Sequence, residues 1–158
     1  MKRGSVHLVC GFLGAGKTTF SSALAQRLGA VRLSVDELYL KLFSAGPTFE
    51  LDQAALDRLL GVLQELWPPI ARHGTDVVLD FGFWRRALRD EARGRAAALG
   101  ITTRLYWLRC PDDVALARCL RRNGEPHAFL ISAEGFRELS SRFEAPGPDE
   151  PHELIDTA

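Results

Sequence analysis

The chain alternates short, unbroken apolar runs with longer stretches in which apolar residues return every three or four positions. Residues 5–10 (S-V-H-L-V-C) are the first apolar run and predict a strand. A glycine-rich turn follows, then a helix over 17–28 with Leu24 and Leu28 on one side. Residues 30–35 predict a second strand, and Asp36 at its end is placed to cap a helix running to about Phe43. Gly46-Pro47 breaks that helix. Residues 51–67 carry Leu51, Ala55, Leu59, Leu63 and Leu66 on one helix face, and Pro68-Pro69 is expected to end it.

Residues 76–81 (D-V-V-L-D-F) predict a third strand, whose unbroken apolar centre implies burial on both faces, as in a parallel sheet. A helix over 84–99 and a strand over 103–108 come next. Pro111-Asp112-Asp113 opens another helix, with proline at its first position and acids in its first turn, and Gly124 ends it. Ser132 caps a last helix with Phe136, Leu139 and Phe143 on one side. A proline-rich tail over 144–151 then runs extended into a short last strand over 152–157. Strands alternating with helices imply right-handed crossovers and a parallel sheet covered on both faces. The 158 residues suffice for one such domain, and no repeat or linker divides them.

Composition narrows the functional classes. Apolar residues make up 46% and charged residues 25%, as in ordinary globular proteins. Basic and acidic residues number 20 each, which argues against a protein that coats nucleic acid and leaves a local basic groove open. Cys10, Cys110 and Cys119 show no C-x-x-C spacing and predict buried thiols in a reducing cytoplasm. No apolar stretch reaches the roughly 18 residues of a membrane span, and the run after Met1-Lys2-Arg3-Gly4 is too short for a secretory leader.

The strongest chemical signal is Gly11-Phe12-Leu13-Gly14-Ala15-Gly16-Lys17-Thr18, which matches G-x-x-x-x-G-K-[ST] between a strand and a helix. Gly11, Gly14, Ala15 and Gly16 let the backbone wrap a phosphate with its N–H groups turned inward. The helix opened by Lys17, Thr18 and Thr19 adds a positive N-terminus. Lys17, one of only three lysines in the chain, would neutralise β- and γ-phosphate oxygens, and the Thr18 hydroxyl would reach Mg²⁺. No N-K-x-D guanine signature is present, so ATP is the expected nucleotide.

Ligands of open parallel sheets lie beyond the carboxyl ends of the strands, where Asp36 and Asp80 fall. Asp36 is a candidate to take or orient the proton of an attacking hydroxyl, its alternative being the helix cap. Asp80 has the form of a Walker B acid that holds Mg²⁺ through water, or else binds substrate hydroxyls. Arg85, Arg89 and Arg93 form a like-charge ladder that costs about 0.2–0.5 kcal/mol per pair on an isolated helix. An anionic ligand would explain it, and so would a plain solvated face. Phe83 and Trp84 are candidates for a pocket wall, with one of them in the core. Arg118 and Arg122 share a helix face, with Arg121 beside them, before the polar N-G-E-P-H segment. Together they suggest a closing lid over about 118–132 that stabilises transferring charge and excludes water.

With these motifs placed, residues 5–157 resemble the small P-loop kinases grouped as AAA_33-type or zeta-toxin-like proteins, which include polynucleotide kinases and chloramphenicol phosphotransferase. The resemblance rests on G-F-L-G-A-G-K-T-T, L-S-V-D, V-V-L-D-F-G-F-W with Arg89, and A-R-C-L-R-R-N. It implies a three-layer α/β/α P-loop NTPase fold with strand order 2-3-1-4-5, using ATP and Mg²⁺. It further implies a general base at Asp36, a substrate-side arginine at Arg89 and nucleotide contacts from Arg118 and Arg122; taken with the motifs above, Lys17, Asp36 and Arg122 are the catalytic candidates. Asp36, Tyr39, Asp80, Arg85 and Arg89 would lie on the substrate side, and Thr18 and Asp80 at the metal.

Two features depart from the pattern. Polynucleotide kinases usually carry an arginine three residues after the base, where this chain has Tyr39, and the family's closing helix after the fifth strand has no counterpart before Ala158. The expectation is γ-phosphate transfer to a hydroxyl of a small molecule. A nucleic-acid 5′-hydroxyl kinase, or an ATPase or nucleotide-gated binding protein without an acceptor, are the alternatives.

Overall fold

A computed structural model describes residues 2–43, 51–126 and 128–158. The Gly46-Pro47 break and part of the lid segment lie outside the described residues. The elements run β1 (Val6–Gly11), α1 (Lys17–Leu28), β2 (Val31–Ser34), α2 (Val35–Phe43), α3 (Gln53–Arg72) and β3 (Val77–Gly82). They continue as α4 (Arg86–Ala98), β4 (Thr103–Arg109), α5 (Asp112–Arg122), α6 (Ala133–Ser140) and β5 (Glu153–Asp156). The sheet order is β2-β3-β1-β4-β5 and every pairing is parallel, the topology the family resemblance implies.

The central strand β1 is buried along its whole length, so its alternate residues serve two cores. Val6, Leu8 and Cys10 pack with Trp67 and Ala71 of α3 and with Ala92 and Ala96 of α4. Val9 packs on the other side with Leu24 and Ala25 of α1, Val78, Tyr106 and Leu108. A smaller cluster of Ala115, Cys119 and Phe136 joins α5 and α6 to Phe12 and Leu13 of the glycine loop. Among the described residues no helix is long and apolar enough to cross a membrane.

Two local expectations are corrected. Pro68-Pro69 does not end α3, which continues to Arg72 with both prolines inside. Proline removes backbone donors and costs about 3 kcal/mol in a helix interior. Here the face on either side of it carries Trp67 and Ala71, both fully buried, with Ile70 against the same core, and that packing holds the last turn. The Trp67 indole N–H donates to the Gln64 side-chain oxygen at 2.8 Å, so its burial leaves no donor unpaired. Asp36 is likewise not the cap of α2. The helix starts one residue earlier, and the Ser34 hydroxyl accepts the Glu37 amide at 3.4 Å. The carboxylate is therefore released from helix capping.

Candidate active site

The glycine loop leaves β1 at the centre of the sheet and enters α1 with two left-handed residues, Gly14 at φ 73° and Gly16 at φ 84°. A Cβ on Gly14 would collide with the Ala115 carbonyl, and one on Gly11 would sit 3.1 Å from the Leu108 carbonyl oxygen. The loop thus needs glycine both for its turn and for its close approach to neighbouring backbone. Gly16 caps α1 with no side-chain acceptor, which leaves the first N–H groups of the helix for a ligand. Thr18 and Thr19 are exposed at that end.

Lys17 folds back so that its ammonium donates to the Phe12 carbonyl at 2.8 Å. Desolvation lowers its pKa, against the pull of Asp36 and then Asp80. This cradle, with its bare helix terminus, glycine clearances and ammonium group, fits a triphosphate. Among the described residues no group of three or more metal-ligating side chains exists. Mg²⁺ keeps several waters and takes phosphates with one or two protein oxygens, and among the protein oxygens at this end of the sheet are the exposed Thr18 hydroxyl and the Asp80 carboxylate.

Asp36 sits in the first turn of α2 and is exposed, although enough protein surrounds its carboxylate for desolvation to act on it. Among the described residues its carboxylate makes no hydrogen bond or ion pair. Desolvation raises its pKa above the ordinary aspartate value, and repulsion from Asp80 and Glu37 acts the same way. Lys17 and Arg122 pull in the opposite direction. The same charges act on Lys17 and Asp36, so Lys17, Asp36, Asp80 and Arg122 share one electrostatic neighbourhood.

Asp80 is buried on β3 beside Ser34 of β2. Its Oδ2 accepts from the Ser21 hydroxyl at 2.9 Å and from Arg32 Nη2 at 2.7 Å. Arg32 Nε also donates to Ser21 Oγ at 2.7 Å, and its fork grips Glu37 at 2.8 and 3.1 Å. Sequence reasoning passed over Arg32, Glu37 and Ser21. The available signal was a lone cation inside the otherwise uncharged strand V-R-L-S, which burial obliges to find an acid.

Two substrate-side expectations need correcting. Arg89 is fully buried. Its Nε and Nη2 hold Glu150 at 2.9 and 2.7 Å, and its Nη1 bonds the Phe83 and Glu144 carbonyls at 2.9 Å each. It clamps the proline-rich tail and has no face turned to a substrate. Arg93 joins it on Glu150 at 2.8 Å, so that pair of the arginine ladder is explained by a buried glutamate. Tyr39 is buried too, its hydroxyl accepting the Asp52 amide at 2.7 Å and its ring near Phe43. Arg85 stays exposed as the residue before α4.

Phe83 belongs to the core with a strained φ of 48°, its carbonyl taking both Arg89 and the Cys10 thiol. Trp84 instead packs on Phe12 of the glycine loop, ring centroids 5.0 Å apart.

The lid arginines divide. Arg118 reaches the glycine loop, donating to the Gly14 carbonyl at 3.3 Å and to the Thr157 carbonyl at 2.7 Å. Arg122 is exposed at the end of α5, and among the described residues its side chain makes one hydrogen bond, a long donation to the Cys119 sulfur at 3.6 Å. The Asn123 side chain clasps both backbone groups of Ile131, at 2.7 and 3.0 Å, which closes the segment between α5 and α6 into a loop. Thr157 also donates through its hydroxyl to the Ala15 carbonyl at 2.9 Å, another contact the sequence did not suggest.

Residues 6–146 match a family model described as AAA domain (AAA_33). No curated protein sequence matches the chain. Among solved structures, a gluconokinase from Sinorhizobium meliloti 1021 aligns over 100% of this chain and 85% of its own, at 19% identity and TM-score 0.72. The APS kinase of Mycobacterium tuberculosis, in complex with AMPPNP and APS, covers 99% and 90% at 18% identity and TM-score 0.65. Kti12 of Chaetomium thermophilum, in complex with ADP-AlF3, covers 96% and 88% at 18% identity and TM-score 0.70. At such identities the likeness is one of fold.

Proposed function

The chain belongs to the AAA_33 family of AAA domains, and from that premise we propose that it is an ATP- and Mg²⁺-dependent kinase that transfers the γ-phosphate to a hydroxyl of a small molecule. The observation that carries this reading is Asp36. It is an acid freed from helix capping, without a hydrogen-bond partner among the described residues, and electrostatically coupled to the lysine of the glycine loop. A pure nucleotide switch has no need of such a base. The kinases among the structural neighbours support the same reading.

Each residue then has a defined task. The backbone amides from Gly14 to Thr18 and the Lys17 ammonium hold the phosphates in line and spread their charge. Thr18 and Asp80 would hold Mg²⁺, and the ion would neutralise charge on the phosphates. Asp36 accepts or orients the proton of the acceptor hydroxyl, and its raised affinity for a proton suits that work. Arg122 reaches the transferring group from the lid side, while Arg118 ties the lid helix to the loop.

Tyr39, buried where polynucleotide kinases usually place a phosphate-gripping arginine, together with the zero net charge, favours a small acceptor over a nucleic-acid 5′ end. The site also fits a reducing cytoplasmic setting for the three free thiols.

A screen of candidate alcohols with γ-labelled ATP tests the proposal. Label is expected on one class of small alcohol. Label on an oligonucleotide 5′ end would move the assignment to polynucleotides. Release of free phosphate with every acceptor would favour an ATPase or nucleotide-gated binding protein.

A further inference from the structure

A strand interior is a costly place for a guanidinium, because charge loses its hydration there unless acids replace it. Arg32 on β2 occupies such a place, with its side chain 15% exposed. Its fork engages three elements: Glu37 of α2, Asp80 of β3 and Ser21 of α1. We infer that Arg32 is a positioning residue of the phosphoryl-transfer site, fixing Asp80 and the Asp36-bearing turn of α2 in one geometry. This rests on the kinase reading above.

The geometry gives the reasons. Asp36 and Glu37 are consecutive in the first turn of α2. A bidentate grip on Glu37 therefore sets the rotation of that turn and the direction in which Asp36 leaves it. The same guanidinium donates to Asp80 Oδ2, which the Ser21 hydroxyl also takes, so the orientation of the Asp80 carboxylate is determined by two donors on one oxygen. Ser21 in turn lies three residues beyond Thr18 on α1, with its hydroxyl also donating to the Thr18 carbonyl at 3.2 Å. One cation thus connects the metal-side threonine, the strand-end acid and the base. It also compensates two of the three carboxylates, Asp36, Glu37 and Asp80, that converge there. Partners of this kind set the orientation of groups that touch substrate, and losing them typically costs about 10- to 100-fold.

The test is steady-state phosphoryl transfer, using the acceptor that the alcohol screen identifies. Arg32→Ala is expected to lower kcat by about 10- to 100-fold while KM for ATP stays within about twofold. Arg32→Lys keeps the charge without the fork and should recover part of the loss. Glu37→Gln removes the grip at its solvent-exposed end, where the fold is least at risk, and should lower kcat in the same direction by less. Unchanged kcat in folded Arg32→Ala and Glu37→Gln overturns the inference, as does a loss confined to KM for ATP. Should the wild-type protein phosphorylate no alcohol, the kinase reading fails by itself. Amide exchange over residues 35–38 then decides on the clamp: faster exchange in both variants upholds it, and unchanged exchange ends it.

Discussion

At the scale of single residues, the proposed function gives phosphate binding to Lys17 and the acceptor proton to Asp36, and their removal should separate the two. Lys17→Ala takes away the ammonium of the cradle and no member of the core clusters, so the protein should fold normally. ATP turnover should fall to background, which γ-label transfer and circular dichroism would show together. Asp36→Asn leaves the cradle intact and exchanges an acceptor of protons for a neutral amide. A loss of roughly 10²–10⁴ in kcat is expected, with calorimetric ATP affinity preserved. Lost affinity with preserved turnover would identify Asp36 as a metal anchor instead. Both positions stood out in the sequence, Lys17 through a complete motif and Asp36 through its place at a strand end, and the structure puts them in one electrostatic neighbourhood. The corrections at Arg89 and Tyr39 share one cause. An arginine on a polar helix face and a tyrosine on a short helix look available, and only the tertiary partners, Glu150 and the Asp52 amide, show that they are spent.

At the scale of elements, the strand patterns carried through to every strand of the sheet, most clearly in the central β1 and β3, because parallel strands buried on both faces leave nearly continuous apolar runs. The end of α3 was illegible for the opposite reason. Two prolines are a strong local stop signal, and the burial of Trp67 and Ala71 outweighs them. The polar segment proposed as a lid stood out in the sequence, but the anchoring of Arg118 did not, since it binds backbone carbonyls that no motif announces. Its position predicts that Arg118→Ala loosens the glycine loop and the tail together. ATP affinity should fall about 5- to 50-fold by calorimetry. Asn123→Ala, which opens the clasp on Ile131 without touching the loop, should leave ATP affinity unchanged and alter kcat. Equal effects of the two variants on affinity would make α5 and the segment after it a single rigid support rather than a lid.

At the scale of the whole molecule, the proline-rich tail is the strap that closes the domain, and its buckle is Glu150. This carboxylate is buried between Arg89 and Arg93, and the hydrogen bonds from Arg89 above all hold its pKa down to about 2, from an ordinary 4.5. From this buckle the chain passes into β5 and reaches Thr157, which docks on the Arg109, Ala15 and Arg118 groups around the glycine loop. A depressed carboxylate pKa means stability that is fully present above the unfolded value and is lost as pH falls through the folded one. The wild-type protein should therefore lose thermal stability progressively between about pH 4.5 and about pH 2. Glu150→Gln leaves the Arg89 guanidinium buried without its counter-charge, a change that costs about 3–5 kcal/mol. At neutral pH its melting temperature should drop by roughly 6–20 °C, given about 2–4 °C per kcal/mol for a domain of this size. Its melting temperature should also depend less on acid across that pH window. Because the strap ends on the loop, the same variant should bind ATP more weakly at temperatures where it is still folded. A Glu150→Gln protein with wild-type acid sensitivity would place the titrating group elsewhere, and one with wild-type ATP affinity would show that the tail stabilises the domain without reaching the site.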